Sequence, residues 1–544
     1  SARAAVHGML SLTELDLTFR NPHPRRMEGR FTCVLPPGAA ISRFAKEVNG
    51  RLMEGEVVER LKANRVYDEI LHQMRDPALL EQDQGNRFSA RVFPIEAGAR
   101  VRLVLSYSRL LPLRSGRRTF SLPLRGLPTM DRFSFRALLA PLPGEAVAQA
   151  PSSAMALPSG ARRGAVETVD MEEREFTPKG DVELSWASAP GTPRVRTLVA
   201  DDFAVTSFLP QVSVPAPSTN GPWLFLVDTS ASAAEAGSRR VDALERVLAA
   251  LPGGAEVRVV AFDQEVVPLG RRSASAWAGR IRPALEERGF LGGTDLAGAL
   301  ATVAGEHLST GTRVVLVSDG VATLGDTEPA RLAMEARKLP EGVALHALVL
   351  GSRQDADTLA LVTRGRGRVV LLPFGDDPAS AARDAAAALS RPLGPDLEAD
   401  DAGAEWSFPS RFPDVAPGDE LLVLSRLRPG AAGSARLRQG DRVLLRANGV
   451  APLPSGSFGP LLAREAWTAY LAHLAERERA ETSPGVREAL ANEQVKVSVE
   501  RRILGQLRQP GPQRVDRAAP GRPRGEELVE ARERPRVGGE DDVL

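Results

Sequence analysis

Hydrophobic and polar positions alternate along the first 125 residues of this 544-residue chain. Leu15, Leu17 and Phe19 alternate with polar residues, and a second run of this kind follows a turn. A period of two is that of a strand with one buried face. The pattern predicts a β-rich domain over 1–125, interrupted over 51–73 by a helix whose apolar residues recur at helical spacing.

Two further stretches with a strand-like pattern flank the middle of the chain. One covers 182–208 and the other 421–447, and each holds too few strands to form a stable sandwich alone. We therefore predict that they pair with each other in one β domain, built from residues 126–221 and 395–450. The stretch 141–164 is rich in Pro, Ala, Ser and Gly, and we expect it to be a long loop.

Between these flanks, over residues 222–391, short apolar runs alternate with amphipathic helical segments. Trp223–Val227 is a continuous apolar run of the length typical of a buried parallel strand. Repeated strand–helix units indicate an open, mostly parallel sheet with helices on both faces, as in Rossmann-like folds. The predicted fold class is therefore multidomain, α/β plus all-β, with the α/β domain inserted into a β domain.

The end of the chain has a helical pattern. Residues 459–509 predict a C-terminal helical segment, whose first helix carries an apolar stripe over 461–478. We expect this stripe to pack on the core rather than to form a groove for a partner. Residues 510–544 contain few apolar side chains and are expected to form a disordered tail.

Composition narrows the possible function classes. Lys and Arg number 70 against 69 Asp and Glu, a net charge of +1, which argues against a dedicated nucleic-acid binder. The single cysteine, Cys33, excludes an internal disulfide and a cysteine-based zinc site. Its strand-like surroundings predict a buried structural thiol. No apolar run reaches about 18 residues, so the sequence predicts no membrane-spanning segment.

Oxygen-bearing side chains follow two of the predicted parallel strands and lie in a loop between them. Asp228, Ser230 and Ser232 come directly after the first strand, Thr294 opens a helix after two glycines, and Asp319 follows a later strand. Because ligands of open α/β sheets bind at the carboxyl ends of the strands, these groups are expected to converge. Carboxylate and hydroxyl oxygens suit Mg²⁺, Mn²⁺ or Ca²⁺ rather than zinc.

Each of these elements has a simpler explanation when it is taken alone, since Ser and Thr cap helices and an Asp can merely end a strand. Their occurrence together, in order and at the ends of suitable elements, favours a metal site with a position left for an outside oxygen. Metal activation of water is an enzymatic alternative. The sequence contains no nucleophile elbow, phosphate loop or zinc-protease motif, and we recognise no base beside the site. We therefore expect a non-enzymatic protein.

The α/β domain over 222–391 resembles a von Willebrand factor A domain with an intact metal-ion-dependent adhesion site. The resemblance implies that the five oxygen-bearing residues named above are the metal ligands. Asp228, Ser230 and Ser232 would lie in the first ligand loop, Thr294 in the second and Asp319 in the third. The glycine that is usual in the first loop is Ala231 here, a departure that leaves every ligand oxygen in place.

The N-terminal region resembles a vault protein inter-alpha-trypsin (VIT) domain, which implies a β-sandwich over 1–125. The matching positions are Asn21, Pro22, Glu28, Phe31, Leu35, Pro36, Gly50, Arg51, Gly55, Ala63 to Tyr67, Leu79 to Gln82, Phe88, Ile95, Gly98 and Tyr107. The order of the two domains is similar to that of inter-alpha-trypsin inhibitor heavy chains and their bacterial relatives. Such heavy chains attach to hyaluronan through an Asp-Pro-His motif, which this sequence lacks, so that chemistry is not carried over.

Three function classes remain after these observations. We favour a metal-dependent protein-binding or adhesion protein, whose cation captures an Asp or Glu carboxylate of a protein partner. The alternatives are a regulatory subunit of an ATPase or other enzyme, and a scaffold in which the metal only rigidifies loops. A periplasmic, secreted or surface-associated location is favoured, with the cytoplasm as the alternative.

Overall fold

The computed structural model describes most of the chain up to residue 503. The described residues are 1–48, 50–54, 78–82, 85–114, 116–125, 127–143, 145–147, 161–163, 166–189, 191–215, 221–234, 237–252, 254–372, 378–431, 433–453, 458–501 and 503. Most of the helix expected over 51–73 and the whole tail over 510–544 lie outside them. The first residues of that expected helix, Arg51–Glu54, form a strand instead.

The largest sheet of the described residues belongs to the N-terminal part and has eight strands. Their order is Ala161–Arg163, Val166–Phe176, Met130–Ala140, Ala2–His7, Leu10–Arg20, Arg100–Leu110, Ala40–Val48 and Arg51–Glu54. Two three-stranded sheets accompany it, one with the order Glu145–Val147, Val182–Ser188 and Arg117–Leu122, the other with Met27–Val34, Arg87–Ile95 and Ala78–Gln82. Cys33 lies half-buried in one of these strands, and burial raises the pKa of its thiol to about 12.

The pairing of these strands differs from the sequence expectation in two places. Met130–Ala140 pairs in parallel with Ala2–His7, so the first sheet continues past residue 125. Val182–Ser188 pairs with Arg117–Leu122 rather than with the strands near 421–447. The physical reason is a shared apolar core, since Trp186 packs in the same cluster as Phe120, Phe135 and Leu184. An alternating pattern predicts the buried face of a strand but not the partner of its edges.

The second β region does join strands from both sides of the α/β domain. Phe203–Phe208 pairs antiparallel with Leu421–Leu427, at a separation of more than 200 residues in the chain. The five-stranded sheet has the order Ala404–Phe408, Leu421–Leu427, Phe203–Phe208, Val195–Ala200 and Ala451–Pro452. A four-stranded sheet has the order Arg411–Phe412, Leu397–Asp401, Ala435–Gln439 and Arg442–Arg446. The domain bounds around these sheets stay predictions.

The α/β domain contains a six-stranded sheet with the order Val266–Ser273, Glu256–Phe262, Trp223–Asp228, Arg313–Val317, Ala344–Leu350 and Val369–Leu372. The strands are parallel except for Val266–Ser273, an edge strand that the sequence pattern did not predict. The helices are Ala231–Ala234, Ser238–Ala250, Ala274–Ala278, Ile281–Arg288, Leu296–Ala304, Pro329–Arg337, Ala356–Thr363 and Pro378–Ser390. Alternate residues of the central strand belong to two apolar clusters, one with Phe225 and the other with Leu226. The predicted fold class, multidomain α/β and β, is confirmed.

Two helices, Phe458–Ala480 and Pro484–Arg501, form the C-terminal segment. The first packs its apolar side against both β regions, because Leu462 lies in a cluster with Leu10 and Phe203. Trp467 contacts Phe203 edge to face, with 5.5 Å between the ring centroids. No helix of the described residues is long and apolar enough to cross a membrane.

Candidate metal centre

The central strand of the α/β sheet ends on a carboxylate whose orientation is fixed on both sides. Asp228 is fully buried, and its Oδ1 accepts a hydrogen bond of 3.0 Å from the Ser230 N–H. Its Oδ2 accepts one of 2.8 Å from the hydroxyl of Ser318, which follows the neighbouring strand. Both carboxylate oxygens are therefore held in place by the folded chain.

The two serines of the first loop lie side by side. Ser230 Oγ and Ser232 Oγ are 3.0 Å apart, and Ser230 is buried whereas Ser232 is half-buried. Ala231, which stands where the related domains have glycine, begins a short helix and is exposed. Its N–H donates to the carbonyl oxygen of Gly292 at 3.0 Å, which joins the first loop to the second. The methyl group thus meets solvent, and the backbone conformation is one that alanine adopts readily.

Thr294 has a well-bonded backbone and a hydroxyl that the protein leaves unpaired. Its N–H donates to Thr323 Oγ1 at 2.8 Å, and its carbonyl accepts from the N–H groups of Thr323 and Leu324 at 3.0 and 3.1 Å. The side chain is buried, and Oγ1 has no hydrogen-bond partner among the described residues. Because a buried hydroxyl without a partner costs roughly 1–3 kcal/mol, this group fits a role as ligand to something bound there.

Asp319 supplies the second carboxylate. Its Oδ1 accepts from the Val321 N–H at 3.0 Å, and its Oδ2 is 3.5 Å from Arg353 Nε. Burial raises the pKa of Asp319, and the negative charge of Asp228 raises it further. The Val321 N–H and the cations of Arg353 and Arg240 act in the opposite direction. A buried carboxylate whose charge is disfavoured by a second carboxylate nearby is suited to binding a divalent cation.

Three residues that support the site were not identified from the sequence. Ser318 orients Asp228, and its position directly before Asp319 is a signal that could have found it. Arg240 is buried beneath the loops, where its Nη2 donates to the carbonyls of Asp228 and Val317 at 3.3 and 3.0 Å. Neither Arg240 nor Arg353 lies in a pattern that distinguishes it from the chain's many other arginines.

The donor set as a whole is made of carboxylates and hydroxyls. In the part of the chain that the structure describes, no group of three or more His, Cys, Asp or Glu side chains is placed to hold a metal. Asp228, Ser230 and Ser232 come together, Asp319 interacts with Asp228, and the backbone joins the loop of Thr294 to that of the serines. Such a set of hard oxygens fits Mg²⁺, Mn²⁺ or Ca²⁺.

Comparisons with known proteins give two domain matches. Residues 1–107 match the Vault protein inter-alpha-trypsin domain, and residues 223–370 match the von Willebrand factor type A domain. Domains of the second type commonly act in adhesion or protein interaction, and many bind a divalent metal at a metal-ion-dependent adhesion site. Both types are mostly non-enzymatic.

Two curated relatives share these names. The chain is 28% identical over 117 residues to mouse von Willebrand factor A domain-containing protein 5A, covering 21% of this chain and 15% of that protein. It is 22% identical over 485 residues to human inter-alpha-trypsin inhibitor heavy chain H6, covering 79% of this chain and 36% of that protein. The chain thus corresponds to well under half the length of either relative.

The chain also has a low similarity to several solved structures. A von Willebrand factor type A protein from Catenulispora acidiphila is 15% identical, with a TM-score of 0.30, and covers 56% of this chain and 84% of its own. Proximal thread matrix protein 1 from the mussel byssus, with a zinc-occupied MIDAS motif, is 17% identical, with a TM-score of 0.25, over 34% of this chain and 50% of its own.

The two domain matches, together with the observed fold and the loops at the strand ends, lead to one identification. The chain contains a vault protein inter-alpha-trypsin domain followed by a von Willebrand factor type A domain.

Proposed function

We propose that this chain is a metal-dependent protein-binding or adhesion protein. Asp228, Ser230, Ser232, Thr294 and Asp319 would hold a divalent cation, Mg²⁺ or else Mn²⁺ or Ca²⁺. A carboxylate from an Asp or Glu of a protein partner would complete its coordination. The observation that carries this proposal is the buried Thr294 hydroxyl, which has no hydrogen-bond partner among the described residues.

The charge of the donor set supports capture of an external carboxylate. The two aspartates together balance the charge of one divalent cation, and the other three ligands are neutral hydroxyls. A hard cation with so few anionic ligands keeps a strong attraction for another oxygen anion. Ser318 already donates to the Asp228 carboxylate, and Arg240 donates to the carbonyls of Asp228 and Val317, so both residues serve to position the site. This arrangement favours binding over catalysis.

Apolar side chains next to the candidate site support a protein as the partner. Leu291 is 73% exposed and precedes the glycine pair that leads to Thr294. Leu324 is 39% exposed, and its side chain lies against Gly293, where an added Cβ would be 2.6 Å from Leu324 Cγ. Large exposed apolar residues around a polar centre are typical of a surface that another macromolecule covers.

A pull-down with and without a chelator tests the proposal. Bait protein in Mg²⁺ should retain a partner that EDTA releases, and Asp228→Ala bait should retain none. Thr294→Ala should weaken partner binding far more than Mg²⁺ binding, because a neutral hydroxyl contributes less to cation affinity than a carboxylate does. Partner binding that EDTA does not affect would contradict the proposal and support the scaffold alternative. A co-purifying ATPase that is retained independently of the metal would support the regulatory one.

A further inference from the structure

A turn of the N-terminal domain is bonded to a loop of the von Willebrand factor A domain. The Asn86 N–H donates to the Gln354 carbonyl at 3.1 Å, and the Gln354 N–H donates back to Asn86 Oδ1 at 2.9 Å. Asn86 Nδ2 donates to the carbonyl of Ser352 at 2.8 Å and to that of Leu35, in its own domain, at 2.6 Å. The Asn86 side chain thus joins two domains through a contact between residues about 270 positions apart in the chain.

The contact is close enough to require a glycine next to Asn86. Gly85 has a φ of +73°, and a Cβ at this position would lie 2.5 Å from the Gln354 carbonyl oxygen. A larger residue would therefore be strained and would push the loop away. Gln354 itself is buried, so the loop is covered at this point.

The same loop contacts the candidate metal centre. The Asp355 N–H donates to the Asp319 carbonyl at 2.7 Å, and Arg353 Nε is 3.5 Å from Asp319 Oδ2. The other oxygen of that carboxylate already accepts from Val321. The Asp355 side chain caps the helix that begins at Ala356, through the N–H of Thr358 at 3.0 Å. The loop is therefore fixed between Asn86 on one side and Asp319 on the other.

We propose that the N-terminal domain regulates the cation affinity of the metal centre through this loop, by holding Arg353 against Asp319. This inference rests on the proposed function, since it assigns a regulator to that same site. The guanidinium of Arg353 lies at the carboxylate oxygen that Val321 leaves accessible. Its positive charge repels a divalent cation and competes for that oxygen. Release of the loop from Asn86 would move this charge away and raise the affinity for the cation.

The experiment is a calorimetric Mg²⁺ titration of the full chain, with all variants compared in the same buffer. Arg353→Gln removes the charge, and Asn86→Ala removes the bonds that hold the loop. Gly85→Ala displaces the loop by a clash and gives a second route to the same effect. Arg271→Gln is the matched control, because Arg271 lies on the edge strand Val266–Ser273 in an exposed ion pair with Glu256.

We expect Arg353→Gln to bind Mg²⁺ at least about threefold more tightly, because the variant lacks the partly screened positive charge that repels the cation. Asn86→Ala and Gly85→Ala should shift the affinity in the same direction by less, and Arg271→Gln should leave it unchanged. The double variant Asn86→Ala with Arg353→Gln should bind no more tightly than Arg353→Gln alone, because both act through one charge. Hydrogen exchange at the Asp355 amide should become faster in Asn86→Ala without metal.

The outcomes separate this inference from the proposed function. Wild-type protein that binds Mg²⁺ with an affinity unchanged by Arg353→Gln, Asn86→Ala and Gly85→Ala would overturn the inference and leave the proposed function standing. Weaker binding in Arg353→Gln would also overturn it, because the arginine would then support the site. Wild-type protein that gives no heat of binding with Mg²⁺, Mn²⁺ or Ca²⁺ would overturn both.

Discussion

The hydroxyl of Ser318 donates a hydrogen bond of 2.8 Å to Oδ2 of Asp228 and so joins the ends of two adjacent parallel strands. Arg240 spans the same two ends from below, through the carbonyls of Asp228 and Val317. These contacts fix the first carboxylate of the candidate centre without any metal. A site organised in this way loses little conformational entropy when it binds a cation.

The unpaired hydroxyl of Thr294 predicts an unusual response to mutation. Thr294→Val replaces a buried hydroxyl that has no partner among the described residues with a methyl group of the same shape. In EDTA, the free energy of unfolding should stay within about 1 kcal/mol of wild type or rise. Thr229→Val is the matched control, because its hydroxyl donates to Phe262 and Asp263 at 3.1 Å. It should lose about 1–3 kcal/mol in urea unfolding. Equal losses in both variants would show that Thr294 Oγ1 is bonded within the protein.

Glu465 predicts a pH dependence of stability. It is buried on the first C-terminal helix, where burial raises its pKa from 4.5 to about 7 against the opposing effects of Ser108, Arg464 and Arg109. Since the folded-state pKa is raised, its contribution to stability is present below pH 4.5 and is lost as the pH rises to about 7. The loss amounts to about 3 kcal/mol.

Urea unfolding of wild type and Glu465→Gln between pH 4.5 and 8 measures this effect. The amide does not ionise, so the variant should lack the decline and be more stable than wild type at pH 8. Parallel pH profiles for the two proteins would contradict the assignment of the decline to Glu465.

A buried ion cluster joins the two β regions, and removal of one of its carboxylates should destabilise the protein. Arg118 is fully buried between Glu145 and Glu420, at 2.7 and 2.8 Å, and Glu420 also accepts from the Leu113 N–H at 2.9 Å. Glu420→Ala leaves the buried cation of Arg118 with one of its two carboxylate partners and should cost about 3–5 kcal/mol in urea unfolding. Glu172→Ala removes the partner of an exposed arginine and should cost less than about 1 kcal/mol. Comparable costs in the two variants would contradict this account.

The proposed insertion of the α/β domain predicts which fragments fold. Residues 222–391 excised from the chain should fold, because both faces of their sheet are covered by their own helices. Residues 395–450 should not, because Leu421–Leu427 pairs with Phe203–Phe208 from the other flank. Far-ultraviolet circular dichroism and cooperative thermal unfolding of each fragment provide the measurement. A folded 395–450 fragment would contradict the insertion.

The sequence predicted local elements better than their partners. The strand Trp223–Asp228 covers the apolar run Trp223–Val227 that predicted it, because a continuous apolar run of this length is typical of a buried parallel strand. The alternation in Val182–Ser188 predicted a strand, but its pairing depends on the backbone of Arg117–Leu122, which no local pattern reveals. The edge strand Val266–Ser273 was missed because its side chains are mostly half-buried or exposed.

The residues of the candidate site also divide into those that a local sequence pattern predicts and those that it does not. Asp228 and Asp319 could be predicted because a carboxylate within two residues of the end of an apolar run lies at a strand end. Asn86 and Arg353 could not, because their importance depends on the contact between two domains distant in sequence. Residues that position a site from another domain carry no motif of their own.

A calorimetric Mg²⁺ titration of metal-stripped protein tests the central claim most directly. Wild type should bind one Mg²⁺ per chain, and Asp228→Asn should lose the heat of binding while it keeps its circular dichroism spectrum. Asp326→Asn is the control, since Asp326 is a half-buried aspartate on the loop after the site, paired with Arg331, and this variant should bind as wild type does. Binding that is unchanged in Asp228→Asn, or equally weakened in Asp326→Asn, would contradict a metal centre at the carboxyl ends of these strands.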